Sequence, residues 1–365
     1  MSQRRSFGLF VSSLSLMLGC GGAPSPAPLR PAANAAPAPQ TSATVAQKDD
    51  SSALSVTNSA ASACAATRAS TLRPVQSGRG ERVVLAKRDQ STLAFVANED
   101  DGSIHSIDLD KRDEIAVTQL PGSPSAMLLL ADGRLVVALR DRNELLVMES
   151  DAENGSKFET RCRLVTPSEP VGLASAMTNS GEKVAVTAGY GHALGILDGQ
   201  SFATAKWINL ARDPRAVLIA HNRAFVSHTV SADVSMVDLD SGKVDTINVF
   251  SNKRIRSLNA PNSGDPLLGS QAFALAKNEN GRLWAPMVMV DPGEAKITSA
   301  YGSAEIPVKA VVGVVDMIAG KELQLPLIAS EARTRECFLP RAADAVGDRL
   351  FVLCVGSDEL MELDG

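Results

Sequence analysis

The feature that most restricts this chain is a hairpin pattern that returns along its length. In Leu93 to Asp108, LAFVANEDDGSIHSID, two apolar runs alternate around a polar turn containing Gly102 and close on an acidic residue. That alternation suits two antiparallel strands with one buried face. Laid without gaps on Ala224 to Asp238, AFVSHTVSADVSMVD, the pattern sets Phe95 on Phe225, Asn98 on His228 and Asp108 on Asp238. The same frame fits Val136 to Glu149, Val184 to Asp198 and Leu350 to Asp364. One more copy is divided: RLWAPM at Arg282 to Met287 is separated by an insertion from its closing VVD at Val314 to Asp316.

The closing acids Asp108, Glu149, Asp198 and Asp238 stand 41, 49 and 40 residues apart. Periods of that size built from short strands indicate a β-propeller, in which each blade is a four-stranded antiparallel sheet. Pro124, Pro170, Pro214 and Pro340 each lead into a small-and-apolar run. Proline begins a strand readily but is excluded from the middle of a central one, so each marks the entry to an innermost strand. The sequence therefore predicts an all-β fold with blades at about 82–120, 124–165, 170–210, 214–249 and 267–328, and an incomplete one at 338–365. Five blades plus most of a sixth leave open sheet edges, which soluble proteins avoid. The expectation is a piece of a larger ring, cut within its sixth blade; strand supply from residues before Arg82 is the weaker alternative.

The combination resembles the YVTN-type, or YncE-like, bacterial propeller repeat: a Pro-led inner strand, an Asp-Gly turn, a "YVAN"-like second strand and a "VSVID"-like third. The matching residues are Pro124, Asp132-Gly133, Phe95-Val96-Ala97-Asn98, Ile104 to Asp108 and Val234 to Asp238. The resemblance covers about residues 81–365 and implies the fold; propellers of this kind host binding, scaffolding and catalysis on similar frames.

A net charge of -5 and the absence of a basic stripe with interleaved aromatics argue against a nucleic-acid partner. Residues 1–19 read as an export signal, with Arg4 and Arg5 ahead of an apolar stretch from Phe7 to Leu18 that is too short to span a bilayer. Met17-Leu18-Gly19-Cys20 resembles a bacterial lipobox and implies acylation of Cys20, although Met17 and Leu18 depart from the usual residues. Ordinary secretion, with Cys20 inside the signal, is the other reading. Acyl chains would hold the protein on a membrane in the periplasm or at the cell surface without a spanning helix. Residues 20–80, dominated by Ala, Pro, Ser and Thr, are expected to be a disordered tether.

On the family frame, loops after the second strands gather at the channel mouth, which nominates Asn98, His228 and Met287 there. Tyr301 joins them from the insertion Asp291 to Pro307, readable equally as a binding loop or as an edge hairpin. For His228 a hydrogen-bonded structural role is the plainer reading. The closing acids are expected to cap turns by accepting backbone N–H groups. No histidine pair has metal-ligand spacing, and Asn98 to Gly102 lacks the pattern of a calcium loop, so no metal set and no catalytic set is named. An export signal places the cysteines in an oxidising compartment. A hairpin turning near Gly347-Asp348 would bring Cys337 beside Cys354, and Cys64 with Cys162 follows by elimination.

Three functions are compatible with this. The first is a lipid-anchored, extracytoplasmic, non-enzymatic binding or scaffold module for a protein or small ligand. The second is the propeller portion of a haem-containing redox protein, with haem c in a domain beyond Gly365, since the chain itself has no CxxCH and no cofactor signature. The third is a metal-dependent propeller hydrolase, which would require a Glu, Asn and Asp cluster at the mouth.

Overall fold

The computed structural model describes residues 63–76, 78–151, 155–202, 206–249, 268–290, 308–323 and 337–364. Their strands form six antiparallel sheets, following one another along the chain as the blades of a β-propeller. Blade 1 contains Val83–Arg88, Ser91–Asn98, Ser103–Asp108 and Asp113–Gln119, and blade 2 contains Pro124–Leu129, Leu135–Leu139, Glu144–Ser150 and Phe158–Val165. Blade 3 contains Pro170–Thr178, Gly181–Ala188, Ala193–Asp198 and Lys206–Asn209, and blade 4 contains Pro214–Ala220, Arg223–His228, Asp233–Asp238 and Val244–Asn248. Blade 6 has three strands among the described residues: Pro340–Val346, Arg349–Cys354 and Glu359–Asp364. The four prolines of the repeat each open an innermost strand.

Blade 5 departs from the pattern for a local reason. Its long second strand, Arg282–Val290, has Pro286 at its centre, where the missing N–H removes a ladder bond. The inner partner is accordingly broken into Leu268–Ser270, paired with Val288–Val290, and Ala276–Lys277, paired with Leu283–Trp284. The third strand, Val308–Asp316, runs alongside the whole of Arg282–Val290, so the ends of the insertion lengthen the hairpin. Tyr301 and the rest of the insertion lie outside the described residues, as do Cys20 and the export signal.

Apolar side chains alternate along the strands and fill the spaces between successive blades. Leu93, Phe95 and Ile104 of blade 1 meet Met127, Val137 and Phe158 of blade 2, with Phe95 and Phe158 edge to face at 4.9 Å. Equivalent clusters join blades 2 and 3, 3 and 4, 4 and 5, and 5 and 6. Each fully buried Leu or Phe contributes about 1.5–3 kcal/mol. Among the described residues no such cluster joins blade 6 to blade 1. Polar contacts from Gln76 and Arg79 to Asp344 span that side.

Most closing acids cap their own turns. Asp108 Oδ1 accepts from the N–H groups of Asp110 and Lys111, Asp316 Oδ1 from those of Ile318 and Ala319, and Asp238 Oδ1 from the N–H and hydroxyl of Ser241. The backbone bond from Ser241 holds the Asp238 carboxyl below its ordinary range. Glu149 behaves differently: it takes the N–H and hydroxyl of Thr67, with Arg68 and Arg161 beside it. The closing acid of blade 2 thus holds the segment that precedes the propeller.

That segment corrects the expected boundary at residue 81. Residues 63–76 and 78–80 pack on the propeller as a strap. Leu72 is fully buried between blades 1 and 2, and Cys64 is bonded to Cys162 on the outermost strand of blade 2. Burial of Leu72, the disulfide and the Glu149 contacts offset an ordering entropy that composition alone leaves unopposed. Nor does the segment extend blade 6, since Arg73–Pro74 pairs with the inner edge of blade 1, Arg73 opposite Lys87 and Pro74 opposite Ala86.

Candidate functional site

The innermost strands present their free edges to the central channel, and the strap bonds to those edges. Val75 N–H donates to Leu85 O of blade 1; Gly80 N–H donates to Leu173 O and Ser175 N–H to Gly78 O of the strap, both in blade 3; Glu81 and Met127 of blade 2 exchange two bonds. Gln76 and Arg79 reach Asp344, and Arg79 also reaches Ala343 O, on blade 6. The strap therefore crosses the channel between four of the six inner strands. Glycine is required for this approach: a Cβ on Gly80 would stand 2.5 Å from Leu173 Cβ, and one on Gly78 would stand 2.2 Å from Ser175 O.

Charged groups gather where the strap meets the inner strands. Desolvation raises the Glu81 carboxyl against the opposing attraction of Arg79, while its side chain keeps 46% of its surface open to solvent. Lys277, on the inner strand of blade 5, is lowered by desolvation and then by repulsion from Arg79, and its ammonium donates to Ile219 O at 2.7 Å.

The mouth is the end of the channel where the inner strands begin. In blades 2, 3, 4 and 6 the pairing register slips just after the proline, so each strand opens with a β-bulge. Bulges free a residue from the ladder and re-aim its side chain. The residues after the prolines are Ser125, Val171, Arg215 and Arg341, and Phe273 occupies the corresponding place in the broken inner strand of blade 5. Glu169 and Asp213, immediately before Pro170 and Pro214, have left-handed backbones with φ of 65° and 53°. Both hold Arg215: Glu169 Oε1 lies 3.3 Å from Nη1, and Asp213 Oδ1 lies 3.0 Å from Nη2. Arg341 is stacked over Phe273, its guanidinium carbon 3.7 Å from the ring centroid. Desolvation, followed by repulsion from Arg215, lowers the Arg341 pKa.

Of the residues named from sequence, His228, Met287 and Asn98 lie elsewhere, and Tyr301 is outside the described residues. His228 pairs with Pro214 on the second strand, one layer behind the channel, and is 0% exposed. Its Nδ1 faces Arg212 O at 3.0 Å and its Nε2 faces Ser235 Oγ at 2.8 Å. Desolvation lowers its pKa, so the ring is neutral near pH 7. Met287 is likewise fully buried, packed between blades 4 and 5. Neither presents a side chain to the channel, because second strands are covered by inner strands and by the next blade. Asn98 binds Asp101 through Nδ2 and accepts from the N–H of Asp100. It borders an open groove on blade 1 with Glu99, His105 and Glu114. Cys337 and Cys354 form a disulfide 17 residues apart in sequence, and Cys64 and Cys162 form one 98 apart. Among the described residues no three His, Cys, Asp or Glu side chains converge in a way that could hold a metal ion.

Sequence reasoning missed Glu169, Arg215, Phe273 and Arg341. The proline markers held the signal for three of them, since Glu169, Arg215 and Arg341 each stand beside one of the prolines. Blade 5 has Ala272 in place of the proline, which hides Phe273.

No family model matches the sequence, and no curated protein matches it. Solved structures do. Hydrazine synthase from Kuenenia stuttgartiensis superposes with a TM-score of 0.56 at 16% identity, over 74% of this chain and 73% of that one. The Pan2 WD40 domain of Neurospora crassa gives a TM-score of 0.48 at 8% identity over 76% and 72%, and a putative 6-phosphogluconolactonase from Bacteroides uniformis gives 0.48 at 10% over 79% and 92%. Likeness at such identities bears on architecture, and in architecture this chain is a β-propeller.

Proposed function

We propose that the chain is an exported, lipid-anchored propeller of the YVTN type that serves as a non-enzymatic binding module, with its ligand site at the channel mouth. The observation that carries this reading is the strap. The chain's own backbone takes up the inner edges of blades 1 to 3, which leaves the starts of the inner strands of blades 4 to 6, where Arg215, Phe273 and Arg341 lie, as the site for a ligand. Two disulfides suit an oxidising compartment, and Cys20 follows a lipobox-like Met17-Leu18-Gly19.

The test has two arms. Cells fed an alkyne-labelled palmitate should label the wild-type protein, and Cys20→Ser should abolish the label and release the protein from the membrane. The purified chain should gain thermal stability from at least one class in a panel of sugars, amino acids, organic acids, nucleotides and short peptides, without turnover. A panel that stabilises nothing, or product formation from any member, sinks the binding-module reading.

A further inference from the structure

The two mouth arginines differ in how their charges are met. Arg215 is enclosed by Glu169 and Asp213, a group with one positive and two negative charges, and the Arg215 Nε has no hydrogen-bond partner. Arg341 has no carboxylate partner among the described residues; its contact is the face of Phe273. Stacking on an aromatic ring occupies the guanidinium's face and leaves its in-plane N–H donors for another group. That edge matches a carboxylate, whose two oxygens accept two parallel N–H bonds. Arg341 also lies close enough to Arg215 for repulsion to disfavour its charged form, a cost that a bound anion would relieve.

The neighbouring acids limit what kind of anion fits. Glu169 and Asp213 already pair with Arg215, so among the described residues at the mouth Arg341 is the one cation left for the ligand, and a second negative charge would have no cation to meet. Of the other residues that follow the prolines, Val171 is apolar and the Ser125 hydroxyl is already bonded to Pro170 O at 2.6 Å; at the start of the blade 1 inner strand the charges are already paired, Glu81 with Arg79 and Arg82 with Glu99. The arrangement calls for one carboxylate on an uncharged, largely apolar body.

We infer that the channel mouth is a binding site for a small monocarboxylate, its carboxylate held by the in-plane edge of Arg341 and its body lying against Phe273. This rests on the binding-module reading and names its ligand class.

Benzoate is the probe, with benzamide, succinate and inorganic phosphate as comparisons, titrated into the full chain by calorimetry at low salt. Benzoate should bind, benzamide should not, and succinate and phosphate should bind more weakly than benzoate. Arg341→Gln should reduce benzoate affinity about tenfold or more, the worth of a charge-assisted bidentate pair. Arg341→Lys, which keeps the charge and loses the fork, should also bind benzoate more weakly than wild type, and both variants should keep the unliganded melting temperature. Equal benzoate affinity in wild type and Arg341→Gln overturns the inference. So does phosphate binding as tightly as benzoate. Absence of benzoate binding overturns it too, while stabilisation by neutral members of the wider panel would leave the binding module standing. If no compound binds at all, both readings fall.

Discussion

Blades 1 to 3 and blades 4 to 6 are built on one repeat, yet their inner edges are satisfied in opposite ways. On the first side the strap supplies backbone partners to Leu85, Met127, Leu173 and Ser175, and Glu149 is diverted from its own turn to hold it. On the second side the inner strands meet the mouth with Arg215, Phe273 and Arg341, one of them lacking an acidic partner among the described residues. Mid-strand positions of the inner edge in blades 1 to 3 are taken by the chain itself, whereas residues at the strand starts in blades 4 to 6 are the ones proposed to meet a ligand. Repetition in sequence therefore does not predict equivalence in role.

The comparison can be broken at several points. The largest effect should come from the disulfides. Cys64→Ser with Cys162→Ser opens a span of 98 residues and should cost about 4.7 kcal/mol in the chain-entropy model. Cys337→Ser with Cys354→Ser opens a span of 17 and should cost about 3 kcal/mol. Urea unfolding of the two double variants tests this, and equal losses would mean that the strap is not held as described. Next, Gly80→Val forces a side chain against Leu173 and should cost about 1–3 kcal/mol. Hydrogen exchange at the Met127 and Ser175 amides should then quicken, with the blade 4 amides unchanged. Uniform acceleration across all blades would contradict a local strap.

The smallest effect concerns pH. His228 has a folded pKa below its ordinary 6.5 because burial disfavours the cation. On acidification the unfolded chain binds that proton first, so this contribution to stability is complete above pH 6.5 and declines as pH falls towards the folded value. His228→Gln should flatten the dependence of unfolding free energy on pH below 6.5. An unchanged slope would show that another group titrates there.

Much of the fold was legible because propeller physics repeats. Alternation set the faces, the closing acids set the period, and proline set the inner edge. The strap was not legible, for Thr67 to Gly80 contains no period and only Leu72 and Val75 as branched apolar residues. Its order comes from contacts as distant in sequence as Asp344, which no local pattern announces. The mouth was half legible. The prolines pointed to it, but inspection of the second strands led to His228 and Met287, which are buried, while Arg341 acquires its significance only from Phe273 on the neighbouring blade.

The Cys64–Cys162 bond has a mechanical consequence as well. Any pull on the chain ahead of Cys64 passes through a covalent link into the outermost strand of blade 2, and the backbone between Cys64 and Arg82 carries none of it until that strand yields. The fragile hydrogen bonds inside the channel are thus relieved of load, and a protein tugged by its leading end would keep its core geometry under a force that would otherwise draw the strap out.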